Sequence, residues 1–141
     1  MRQFLIFAAL FVSCLAYGQA GKFIPSERFS SGHINHICQD KYGYIWIATD
    51  NGVNRYDGYR FTTYLSTPGD PYSIESNIVP TLLCDSQGRL WVGTRLGLAR
   101  YDYVADRFVR YPFPDRMKPR VTSLLERKDG EILIGTSGRG L

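Results

Sequence analysis

From Ile34 onward the chain falls into short runs that are either apolar throughout or alternate apolar with polar side chains. Clusters of Asp, Asn, Gly and Lys separate them. The runs Ile34 to Gln39, Tyr44 to Thr49, Val53 to Asp57 and Arg60 to Leu65 each predict a β-strand. The breaks at Lys41-Tyr42-Gly43 and Asp50-Asn51-Gly52 hold the residues that tight antiparallel turns need where φ is positive. Ile45-Trp46-Ile47-Ala48 is apolar on both faces, as a strand must be when both sides of its sheet are covered. The later strands mix in Arg, Asn and Thr, which places them nearer a solvated rim.

The pattern then repeats. Asp40, Gly43, Trp46, Thr49, Gly52, Arg55, Tyr56 and Asp57 recur 45 residues on as Asp85, Gly88, Trp91, Thr94, Gly97, Arg100, Tyr101 and Asp102. Eight matches in register within an eighteen-residue window are not a chance event. A third copy begins with Lys128-Asp129-Gly130 and runs through Ile134-Gly135-Thr136, with Leu133 in the tryptophan's place. The flanks repeat as well: Ile34 and Ile37 correspond to Val79 and Leu82, then to Val121 and Leu124. Four antiparallel strands per unit, in tandem, describe the blades of a β-propeller. A lone blade cannot hide both of its faces, so neighbours must stack on it. The expected fold is all-β: two full four-stranded blades and part of a third, with units at about 29–73, 74–115 and 116–141. The loops Ser66 to Ser73 and Tyr111 to Asp115 read as inter-blade crossovers. Trp46 and Trp91 are expected to fill the inter-blade space. With apolar faces uncovered and edges unpaired, residues 21–141 on their own are expected to fold marginally or aggregate.

The opening of the chain does not share this pattern. Arg2 is followed by an almost unbroken apolar run from Phe4 to Ala16, then by the small residues Ala16, Gly18 and Ala20. That is the layout of a secretory signal peptide, a helix over residues 1–20 that is removed on export. It is short for a membrane span, and the residues around Cys14 match a lipoprotein box poorly. Export would allow Cys38 and Cys84 to pair. They occupy non-equivalent positions in neighbouring units, however, so two buried free thiols are expected instead. The net charge of +4 is spread along the chain. No basic cluster suggests contact with nucleic acid.

The motif Asp-x-x-Gly-x-x-Trp-x-[Gly/Ala]-Thr-x-x-Gly-[Leu/Val]-x-Arg-Tyr-Asp resembles the two-component regulator propeller repeat, and the likeness extends over about residues 29–141. The resemblance implies the N-terminal part of a periplasmic sensor in a hybrid two-component system of the Bacteroides type. It implies further blades, a membrane anchor and a histidine kinase downstream, an oligosaccharide signal, and a homodimer in the full-length sensor. The kinase activity would lie outside this chain, which reads as a fragment of such a gene product.

Candidate chemistry is sparse. His33 and His36 are the only histidines, and no Cys, Asp or Glu cluster completes a metal set around them. No cofactor is expected. Asp40 and Asp85 precede turn glycines and are expected to bond turn amides. Asp57 and Asp102 recur with the repeat, which argues for structure, because a catalytic residue should appear once. Gly130 and Thr136 extend the structural set into the third unit. Ligand contacts are expected from loops at one end of the propeller, with Tyr42, Tyr44, Tyr59 and Arg95 as the candidates. Aromatic faces stack on sugar rings, and arginine suits acidic sugars. The competing reading is a fragment of a secreted propeller enzyme such as a polysaccharide lyase or glycosidase, whose acidic or histidine residues would lie beyond residue 141.

Overall fold

The computed structural model of the chain describes residues 30–138 and 140. The expected signal-peptide helix over 1–20 lies outside them. Ten strands follow in order: β1 (Ile34–Gln39), β2 (Ile45–Thr49), β3 (Gly52–Tyr56), β4 (Phe61–Tyr64), β5 (Thr81–Cys84), β6 (Leu90–Thr94), β7 (Gly97–Asp102), β8 (Arg107–Tyr111), β9 (Val121–Glu126) and β10 (Ile132–Thr136). They form two four-stranded antiparallel meanders, β1-β2-β3-β4 and β5-β6-β7-β8, and a two-stranded sheet of β9 and β10. These are two blades and the inner pair of a third, as the repeat predicts.

The β2–β3 hairpin pairs Thr49 with Gly52. At Gly52 φ is +100°, and an added Cβ would lie 2.5 Å from the Tyr64 carbonyl oxygen. Only glycine meets both demands at once. The Thr49 hydroxyl closes the turn, donating to the Gly52 carbonyl at 2.9 Å and accepting the Asn51 amide at 3.0 Å. Thr94 does the same in the second blade, with Gly97 at 3.0 Å and the Leu96 amide at 3.2 Å.

Alternation along each strand decides which blade a side chain meets. In the first sheet, Cys38 pairs with Trp46 across the ladder, and this row faces the second sheet. In the second sheet, Leu82, Leu90 and Val92 face back toward the first, and Trp91 and Leu98 face the third. The main core therefore lies between the blades. Trp46, Ala48 and Val53 meet Leu82, Leu90, Val92, Ala99, Tyr101 and Phe108. A smaller core joins Trp91 and Leu98 to Val121, Leu124, Ile132 and Ile134.

The crossover between the first two blades is fastened at both ends. Gly52 donates its amide to Asn77 and Val79 donates to Thr49, at 2.6 and 3.0 Å. Arg95 and Phe108 donate to Ile78 and Tyr72, at 3.0 and 2.9 Å. Ile74 and Val79 are fully buried beneath it.

The expectation of two free thiols is overturned, because Cys38 and Cys84 form a disulfide with Cα atoms 6.3 Å apart. Their sequence separation is 46, one more than the repeat. A one-residue offset in a strand moves a side chain to the other face. Cys38 points toward the second blade and Cys84, beside Leu90, points back at the first. Non-equivalence is thus the condition for two neighbouring inner strands to present cysteines to each other.

Trp46 is fully buried. A tryptophan buries about 150–250 Å², worth roughly 4–6 kcal/mol as an upper bound. Trp46→Ala should lower stability by about 3–5 kcal/mol in urea unfolding. A loss under about 1 kcal/mol would show that the inter-blade core does not depend on this ring.

Candidate functional site

Each full blade is organised by one carboxylate. Asp40 is buried at the β1–β2 turn. Its Oδ1 accepts the amides of Tyr42 and Tyr44 at 2.9 and 3.0 Å, and its Oδ2 accepts the Trp46 indole N–H at 2.7 Å. Asp85 repeats the arrangement. Oδ1 accepts the Arg89 amide at 2.8 Å, and Oδ2 accepts the Trp91 indole at 2.9 Å and the Arg89 guanidinium at 2.5 Å. The spacing makes this possible. The tryptophan pairs with the residue two before the aspartate, so the indole reaches back to the turn. Gly43, Gly88 and Gly130 occupy the same turn position at φ 88°, 77° and 84°. The third unit has Arg127 and Leu133 where the carboxylate and indole would be, and the turn is kept by backbone bonds together with Asp129, which accepts the Glu131 amide at 3.2 Å.

The rim turns use the second recurring aspartate. Asp57 accepts the amides of Tyr59 and Arg60 at 2.8 and 2.7 Å. Asp102 accepts those of Val104 and Ala105 at 3.0 and 3.2 Å. Tyr56 stacks on Phe61 with ring centroids 4.6 Å apart. In the third unit Thr136 donates to the Gly140 carbonyl at 2.9 Å.

The seam between the first two blades also carries a polar cluster around the β7–β8 connection. Five positions separate Tyr56 from its ladder partner Phe61, whereas seven separate Tyr101 from Phe108. The longer connection brings in Tyr103 and Asp106. The Tyr103 hydroxyl donates to Asp40 Oδ2 at 2.8 Å, so the first blade's carboxylate serves the second blade as well. Asp106 accepts the Tyr64 hydroxyl at 2.6 Å and that of Tyr101, and it lies 3.3 Å from the Arg55 guanidinium. Arg55 donates to the Tyr101 oxygen at 2.7 Å and stands over Tyr44, Trp46 and Tyr64 at 5.0, 5.7 and 5.6 Å from their centroids. Sequence periodicity misses Tyr103 and Asp106 because they have no counterpart in the first unit. The two-residue insertion was the available signal.

The electrostatics follow from these bonds. Hydroxyls from Tyr101 and Tyr64 hold Asp106 below the usual carboxylate range, against a smaller opposing effect of burial. Burial and the contact with Asp106 push Tyr101 up to about 12. Burial, reinforced by the bond to Asp40, raises Tyr103 too. Around neutral pH the phenols keep their protons and donate, and the Asp106 carboxylate accepts.

The residues expected to bind ligand do not converge. Tyr42 and Tyr44 lie at the end of the first blade that holds the β1–β2 turn, and Tyr59 is on the β3–β4 turn at that same end. Arg95 is on the β6–β7 turn at the opposite end. Tyr42 is engaged by the Tyr103 ring at 4.9 Å and the Lys41 ammonium at 5.1 Å. Tyr59 is 88% exposed. Arg95 is exposed and donates its amide to the crossover. A cleft of about 240 Å³ opens where the crossover passes the seam, lined by Tyr64, Asp70, Tyr72, Asp106 and Arg107 among others. Arg107 lies 3.9 Å from the Tyr72 centroid. The histidines stay apart: His33 Nδ1 sits 3.2 Å from Asp50, and His36 Nδ1 accepts the Leu82 amide at 3.3 Å. Among the described residues no three His, Cys, Asp or Glu side chains group to hold a metal.

Asp85 supplies a pH test. Burial pushes its pKa up, but the bonds from Trp91 and Arg89 outweigh this and hold it below 3.8. The folded state therefore gives up the proton more readily than the unfolded chain. The stabilisation is full above that value and disappears as the pH falls through the lower folded pKa. Urea midpoints measured from about pH 6 down to about pH 2.5 should fall less steeply in Asp85→Asn than in the parent chain. Parallel curves would remove Asp85 from the acid response.

Comparison with known proteins agrees with this geometry. The profile of the family described as two component regulator propeller matches residues 28–51 and 73–95, each holding the first two strands of a blade and the Asp–Trp pair at the turn between them. Histidine kinase P4 of Formosa agariphila is 34% identical over 82 residues, which cover 52% of this chain and 6% of that kinase. Two crystal structures of the extracellular domain of BT4673 from B. thetaiotaomicron share the fold. One, assigned as a one component system, has a TM-score of 0.66 at 23% identity and covers 82% of this chain and 17% of its own. The other, assigned as a hybrid two component system, has a TM-score of 0.63 at 22% identity and covers 85% and 18%. The chain thus spans a small part of each relative's length. Two units of the chain match the two component regulator propeller family, and their recurring Asp, Gly, Trp and Thr play the same parts in each blade.

Proposed function

We propose that this chain forms blades of an exported, ligand-sensing propeller in a hybrid two-component system, and that it reads an oligosaccharide. The observation that carries the reading is the blade unit itself. Both pairs of turn aspartate and strand tryptophan lie in the stretches that match the propeller family, and a histidine kinase is 34% identical over 82 residues. The apolar leader and small residues at 16–20 agree with export to the periplasm. Further blades complete the ring, the kinase resides elsewhere in the assembled sensor, and two copies of the sensor pair. The chain's own part is to bind and to report, and its recurring aspartates Asp40, Asp57, Asp85 and Asp102 are engaged as hydrogen-bond acceptors of turn amides.

The cleft beside the crossover fits this role. It combines the Tyr72 ring, the Arg107 guanidinium and the carboxylates of Asp70 and Asp106, the groups that meet the apolar face and hydroxyls of a sugar. Isothermal titration of the full chain with neutral and uronate-bearing oligosaccharides should detect binding. Tyr72→Ala should weaken it about tenfold, corresponding to about 1.4 kcal/mol. An unchanged affinity in Tyr72→Ala with a loss in Tyr59→Ala would move the site to the exposed rim turn. Absence of binding to every sugar tested would overturn the oligosaccharide assignment.

A further inference from the structure

Strand β1 is held to its neighbouring blade in an unusual way. Of its side chains only Cys38 is even half-buried, and the rest are exposed. Yet β1 is an inner strand that must stay beside β5. Asn35 reaches across to the Val79 carbonyl at 3.0 Å, and the His36 ring accepts the Leu82 amide at 3.3 Å. The disulfide to Cys84 is the covalent link, and Cys38 is the β1 side chain that packs on the main core. The rest of the first blade has contacts of its own with the second. Trp46, Ala48 and Val53 bury themselves in the seam, and Arg55 and Tyr64 join the Asp106 cluster.

We propose that the Cys38–Cys84 disulfide is a redox-set latch on β1. Closed, it fixes the inner strand of the first blade to that of the second. Opened, it releases β1 locally while the tryptophan core keeps the two blades stacked. Closing is thiol–disulfide exchange with a small-molecule disulfide or an oxidoreductase disulfide. One cysteine thiolate attacks a donor sulfur, forming a mixed disulfide and expelling one donor thiolate. The second cysteine thiolate then attacks the chain's own sulfur in that mixed disulfide and expels the other. The two cysteines lose two electrons and two protons, and the donor leaves as two thiols. A dithiol reverses both steps. Both sulfurs belong to half-buried residues packed at the edge of the main core. An oxidising exported compartment favours the closed form.

The test uses the full chain, oxidised and after treatment with dithiothreitol, with Cys38→Ser/Cys84→Ser as the permanently open reference. A digest without reductant should contain a Cys38–Cys84 linked peptide. A peptide joining either residue to Cys14 in its place would overturn the latch. In hydrogen exchange, amides of His36 to Gln39 should exchange about tenfold faster or more after reduction, with β6 and β7 unaltered. Oxidised glutathione should restore the slow rate. Equal exchange before and after reduction refutes the proposal. So does uniform acceleration through both sheets, which would make the bond a global staple. If the double variant does not fold, reduced parent chain supplies the open state, and the same two outcomes decide.

Discussion

The hydrogen bond from a buried tryptophan to the aspartate of the preceding turn is what the blades depend on. An indole brings much apolar area to the seam, but also an N–H that costs about 1–3 kcal/mol if buried without a partner. A carboxylate in the turn meets that need and takes the turn amides on its other oxygen. One side chain thereby joins the local turn, the pairing of β1 with β2, and the packing of one blade on the next. Losing either partner strands the other in the interior. The third unit bears this out, because both members change together. Arg127 stands in the carboxylate's place and turns to Asp129 and Glu131, and Leu133, with nothing to donate, replaces the indole.

Much of the fold could be read from the chain because it is periodic. Strand limits fell within a residue of those expected, since Gly43, Gly52 and their counterparts fix where each hairpin turns. Burial of Trp46 between sheets followed from apolar residues on both faces of β2. What lay hidden depends on which way side chains point across a gap between blades. The disulfide is one case: equivalence in sequence was taken as the condition for pairing, whereas opposed faces require an odd offset. The aspartates are another. Their turn bonds follow from local spacing, but their bonds to indoles need the ladder register.

The candidate site was less legible for a related reason. Tyr42, Tyr44, Tyr59 and Arg95 are aromatic or basic residues near turns, and antiparallel strands send alternate turns to opposite ends of a blade. Arg95 is thus parted from the tyrosines, and Tyr42 is occupied by Tyr103 and Lys41. The cleft that does open is made by residues outside the motif, Tyr72 on the crossover and Arg107 beside the longer rim connection. Recurrent positions build the frame, and residues outside the recurrence line the cleft.

The two extra residues between β7 and β8 have one more effect. Tandem copies this alike invite mispairing while the chain folds, since any blade offers nearly the same face to any other. Tyr103 and Asp106 give the first joint an identity: they recognise Asp40, Arg55 and Tyr64, and the first unit has no matching pair to offer elsewhere. They act as an address label, so a unit moved by recombination beside a different blade would arrive without its intended neighbour.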